Sequence, residues 1–134
     1  MEFSAYLDTK KNNHSIRVES KGSIKELNVE SGTNGFGSSI NGGEFLSLAI
    51  ATCFCNDLYR EANKKGIRID GIKVQASGYF YAEGEAGENF TYKVKIESNA
   101  SDQELNDLIR TTDKVAEIHN TLRKGVEVTL MKDS

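Results

Sequence analysis

The sequence predicts an α+β fold with a mainly antiparallel sheet and two main helices in the order βββ-α-ββ-α-β. Three observations carry it. Apolar residues alternate at the period of a strand in two hairpin-like pairs, "EFSAYLD" with "SIRVE" and "IKVQASGYFYA" with "FTYKVKIE". Two other segments have helical periodicity and open on capping-box pairs, Asn41 with Glu44 and Ser101 with Glu104. Strands and helices do not alternate regularly, as a parallel α/β sheet would require.

The elements follow in chain order. Phe3, Ala5 and Leu7, then Ile16 and Val18, flank the turn-prone "TKKNN" and make an N-terminal hairpin; "SIKELNVE" after Gly22 is a third strand. The Gly-, Ser- and Asn-rich "SGTNGFGSSINGG" has no periodicity and reads as a mobile connection. From Glu44 a helix begins that is apolar on nearly all sides between Phe45 and Tyr59, turns polar at "REANKK" and stops at Gly66. The acidic "EGEAGE" joins the strands of the second hairpin. In the second helix Leu105, Leu108, Ile109, Val115, Ile118 and Leu122 form one stripe, and "RKG" puts cations at its negative end and Gly125 beyond. "VEVTL" is expected to be a last short strand.

A chain of 134 residues is read as one domain, 1–134, with a single core. No run has the length and apolarity of a membrane span, and the N-terminus lacks a signal-peptide layout, so the expected setting is the cytoplasm, where thiols stay reduced. Seventeen Lys and Arg against twenty Asp and Glu, scattered without a basic stripe, argue against a nucleic-acid partner. "GTNGFG" fits neither the dinucleotide fingerprint nor a phosphate loop, and no cofactor is expected. An anion at the N-terminus of the Glu44 helix is a physical alternative to plain flexibility there. Tyr79, Tyr81 and Tyr92 read as packing or interface residues.

Cys53 and Cys55 are the only cysteines. On a helix they stand about 200° apart, so they neither bond to each other nor share a metal ion. His14 and His119 are the only histidines and lie far apart in sequence, so no metal site is expected. Residue type alone leaves two readings of the cysteines, working thiol or small buried hydrophobe.

"GGEFLSLAIATCFCNDL", the "KKGI" exit and "VAEIHNTLRKGVEVTL" together resemble the OsmC/Ohr family of thiol peroxidases, over about residues 14–131. The resemblance implies the OsmC-like fold, an intertwined homodimer with sites at the subunit interface, and Cys53 as the peroxide-attacking thiol of the A-x-C-F pattern. It also marks departures. The family's resolving cysteine falls on Ala116, followed by Glu117, Ile118 and His119; the family's Glu falls on Gly43, with Glu44 next to it; and for the family's N-terminal Arg, Arg17 is the residue in a comparable strand.

On the helix of Cys53, Asp57 at i+4 opposes a thiolate and Arg60 at i+7 favours one. His119, one turn beyond Ala116, is a candidate partner for Cys53 if the helices pack as the family's do. The candidate catalytic set is therefore Cys53, His119, Arg60 and Glu44. The expected function is reduction of an organic hydroperoxide or another electrophile by one cysteine with an external thiol reductant. The alternatives are a non-catalytic homodimer that binds a small apolar or electrophilic ligand at its interface, and a purely structural dimer module.

Overall fold

The structure, a computed structural model, describes residues 1–132. The chain folds as two compact units, Met1–Phe45 and the part from Leu46 onward.

In the first unit, β1 (Phe3–Lys10), β2 (Asn13–Ser20) and β3 (Ser23–Leu27) form an antiparallel sheet in that order. Leu7 pairs with Ile16 and Ala5 with Val18, as the alternation requires, while Tyr6 faces Arg17, whose guanidinium lies 4.3 Å over its ring. The following connection is ordered, contrary to the mobile segment expected from its composition. Asn12 donates its backbone N–H to the carbonyl of Gly35, Gly32 donates to Gly37, Ser39 donates to Glu30, and Thr33–Gly35 forms a 3-10 turn. Gly35 has φ +83°, and an added Cβ would stand 2.1 Å from Asn12 Oδ1, so glycine here is what closes the turn. Composition reports backbone freedom in the unfolded chain; these hydrogen bonds remove it in the folded one.

Helix α1 (Gly42–Lys64) opens on the expected box, with Glu44 N–H donating to Asn41 Oδ1 at 2.8 Å and Asn41 N–H to Glu44 Oε1 at 2.9 Å. It closes at Gly66, φ +67°, where Ile67 N–H bonds back to Ala62. Residues Phe54, Leu58 and Ala62, spaced by four, form its buried stripe. Against them pack Ile72 and Val74 of β4 (Gly71–Tyr79), Tyr92, Val94 and Ile96 of β5 (Glu88–Glu97), and the buried Leu108. The hairpin register pairs Ile72 with Ile96, Val74 with Val94 and Ala76 with Tyr92, which puts all six on one face. The helix is less enclosed than its all-round apolarity suggests: Leu48 is 56% and Tyr59 45% exposed.

The single second helix of the sequence reading is two helices, α2 (Asp102–Val115) and α3 (Glu117–Lys124). Ala116 between them is fully buried and extended, φ −71°, ψ 110°. No local breaker announces this, since Ala is the strongest helix former. The turn in direction brings His119 under cover beside Phe54 and Tyr92. The final strand is also corrected: Val126–Leu130 follows the left-handed cap at Gly125 and, among the described residues, pairs with nothing. Val128 is 95% and Leu130 98% exposed. Alternation marks a segment fit for a sheet, but only a partner edge makes it a strand.

Leu58 sits at the centre of the helix-to-hairpin contact with no exposed surface. Leu58→Ala is expected to lower unfolding stability by about 2–5 kcal/mol, measured by urea denaturation.

Candidate functional site

The buried stripe of α1 leaves Cys53 and Asp57, one turn apart, on its flank, next to the start of α3. The Cys53 thiol donates toward Asp57 Oδ2 at 3.6 Å and lies 3.9 Å from Glu117 Oε2, and its sulfur accepts a backbone hydrogen bond from Ile118. Cys53 is half-buried and outside any disulfide, as is Cys55. Arg60 lies on the outer side of the two carboxylates, its Nη1 3.0 Å from Asp57 Oδ1 and 4.0 Å from Glu117 Oε1, while its Nε is 3.0 Å from Glu61 Oε2. The guanidinium holds the outer oxygens, and the inner ones face the sulfur.

The charges act on the thiol in a definite direction. Burial pushes Cys53 above the ordinary thiol range, and the negative charges of Asp57 and then Glu117 add to it, against the opposing hydrogen bond at Ile118. The two carboxyls also act on each other. Burial, together with Glu117, raises Asp57, whereas its own backbone N–H and the bond from Asp57 hold Glu117 low. Asp57 is therefore the weaker acid of the two and Glu117 the stronger.

The sulfur and one oxygen from each carboxylate lie within 4.8 Å of one another, a donor set that could hold a metal ion. The sequence reading, which considered only the histidines as further ligands, did not bring Glu117 into this group. Arg60 already supplies a positive charge to the same carboxylates.

The other predicted residues stand elsewhere. Glu44 is engaged with Asn41 in the helix cap, and Arg17 stacks on Tyr6 in the first sheet. His119 is 5% exposed and neither ring nitrogen has a hydrogen-bond partner, Cys53 included. Its ring packs edge-on to Tyr92, centroids 4.6 Å apart, and 5.9 Å from Phe54. Burial, with Arg123 nearby, lowers its basicity and keeps it neutral. Arg123 Nη2 donates to Asp113 Oδ1 at 2.7 Å, and the Tyr92 hydroxyl donates to the same oxygen. Burial alone would raise Asp113, but these two donors outweigh it. Tyr92 is raised by burial and by Asp113 and stays protonated. The sequence offered one hint of this second group, the i, i+4 spacing of His119 and Arg123 on a helix; its pairing with Tyr92 and Asp113 depends on tertiary packing.

A half-buried thiol on a central helix, backed by a two-stranded antiparallel hairpin and two C-terminal helices, defines an α+β protein with one thiol site. The model of the OsmC-like protein family matches residues 35–131, and the chain belongs to that family. The fold is similar to the OsmC-like protein of Mycoplasma pneumoniae, with TM-score 0.64, 21% identity, 92% of this chain and 87% of that one covered. It is similar also to an organic hydroperoxide resistance protein from Legionella pneumophila, with TM-score 0.57, 18% identity and 92% and 90% coverage. A third similar structure is an organic hydroperoxide resistance protein from Elizabethkingia anophelis with thiocyanate bound, at TM-score 0.55, 17% identity and 95% and 91% coverage. No curated protein sequence matches the chain. Among the described residues no helix is long and apolar enough to cross a membrane.

Since the thiol is held above its ordinary range, alkylation of Cys53 by iodoacetamide is expected to reach half its maximal rate at a pH above that of an unperturbed cysteine. Asp57→Asn and Glu117→Gln are each expected to move that midpoint down, because each removes negative charge next to the sulfur. Unchanged midpoints in both variants would show that burial alone sets the shift.

Proposed function

We propose that this member of the OsmC-like family reduces organic hydroperoxides with Cys53 as its single working thiol and a small external thiol as reductant. The observation that carries the reading is the Cys53–Asp57–Glu117 contact. It places two carboxylates able to accept and return a proton next to a half-buried sulfur, at the position where the family pattern has its attacking cysteine. As Sγ attacks the terminal oxygen of the hydroperoxide, the O–O bond breaks. The thiol proton passes to the Asp57 carboxylate, toward which the thiol donates, and from there to the departing alkoxide. The products are an alcohol and Cys53 sulfenic acid. One external thiol then forms a mixed disulfide and releases water, and a second releases the disulfide of the reductant and restores the Cys53 thiol.

Ala116 takes the place of the resolving cysteine, so the chain has no second thiol for an internal disulfide there. Cys55, two residues on, points about 200° away round the helix. The raised thiol makes the thiolate scarce at neutral pH, so turnover is expected to rise with pH through the alkaline range. That same observation favours a second reading, a non-catalytic homodimer that binds a small ligand at its interface, should Cys53 prove inert.

Turnover of an alkyl hydroperoxide is expected only with added small thiol. Ala116→Cys is expected to form a disulfide with Cys53 on oxidation, since Glu117 and Ile118, the next two residues, already touch Cys53. Oxidation of Cys53 in that variant without a cross-link, read by peptide mass mapping, would contradict the arrangement.

The active unit is proposed to be a homodimer. Leu48 and Tyr59 on α1 and the unpaired Val126, Val128 and Leu130 are apolar surface that a second copy would cover. Light scattering at micromolar concentration is expected to give twice the chain mass until the protein unfolds. A folded monomer would overturn the dimer.

A further inference from the structure

A cleft of about 100 Å³ opens between α1, β5 and α3, apart from the carboxylates that face Cys53. Ile50, Phe90 and Leu122 give it apolar walls, Tyr92 and His119 its aromatic ones, and Thr91 and Arg123 complete the lining. Most buried polar groups in folded proteins have a partner, and leaving one unpaired is costly. Here both ring nitrogens of His119 are buried and unpaired, on a side chain that lines the cleft. One nitrogen of a neutral imidazole donates and the other accepts; both are covered as the cleft stands, so a small turn of the ring is what offers one of them to a ligand in an apolar setting.

The charge of the lining narrows what can enter. Arg123 is committed to Asp113 at 2.7 Å, and to the Asp113 carbonyl and Asn120 Oδ1 at 3.2 and 3.3 Å. The Tyr92 hydroxyl is committed to Asp113 as well. The Arg123 charge is balanced by Asp113, so the lining carries no net charge to hold an ionic ligand. The position of Phe90 is fixed, because its ring lies over Gly78 and Gly87, where an added Cβ would come within 2.6 and 2.8 Å of it. The cleft is smaller than the apolar cavity of roughly 150 Å³ that takes up benzene, so a ring of that width enters it part-way from the open side.

We propose that this cleft is a binding site for a small, uncharged, aromatic-sized molecule with one hydroxyl group, which lies against Phe90 and Leu122 and hydrogen-bonds His119. The proposal is independent of any reaction at Cys53.

Phenol and benzene are the probes, titrated into the 15N-labelled protein and followed at the His119 imidazole nitrogens. Phenol is expected to saturate, to shift those resonances, and to bind several-fold to about tenfold more tightly than benzene, the gain from one hydrogen bond. His119→Phe is expected to reduce phenol affinity to the level of benzene. Leu122→Trp, which fills the cleft from a partly exposed wall, is expected to abolish binding of both. No saturation by phenol up to about 10 mM, or equal affinities for phenol and benzene in the wild type, would overturn the proposal and leave the His119 nitrogens to water.

Discussion

The contact on which the rest depends is the burial of Phe54, Leu58 and Ala62 against the inner face of the β4–β5 hairpin and Leu108. An α-helix has one rotational setting in which a stripe spaced by four faces a flat apolar sheet, and that setting fixes every other side chain on it. With Phe54 and Leu58 inward, Cys53 and Asp57 fall on one flank, within reach of the start of α3. The thiol site is thus a by-product of core packing, positioned by residues that take no part in its chemistry.

Much of this was legible in the sequence because it is local. The hairpins, both capping boxes and the glycine stops depend on residues a few positions apart, and they appear where the pattern places them. What failed depends on distant partners. Val126–Leu130 has the alternation of a strand but no neighbouring edge, and the break at Ala116 has no local cause. The glycine-rich connection is ordered by bonds from Asn12 and Glu30, which its own composition does not report. At the site, sequence spacing identified Asp57 and Arg60 as neighbours of Cys53 on one face but treated them as opposing influences. In the structure they are ion-paired with each other at 3.0 Å. Glu117, 64 positions from Cys53, was noted only as a neighbour of Ala116.

Ala116 stands where the resemblance sets the resolving cysteine, and the next residue, Glu117, brings a carboxylate oxygen to 3.9 Å from Cys53. His119, three residues after Ala116, lines the cleft beside Tyr92 and makes no hydrogen bond to Cys53.

The most direct test of the single-thiol account is the mass of the reduced protein and of its cysteine peptides after one equivalent of alkyl hydroperoxide at alkaline pH. The expected result is one added oxygen, trapped as sulfenic acid at Cys53, with Cys55 unmodified. A disulfide between Cys53 and Cys55, or no oxidation of Cys53 at any pH at which the protein is folded, would contradict it.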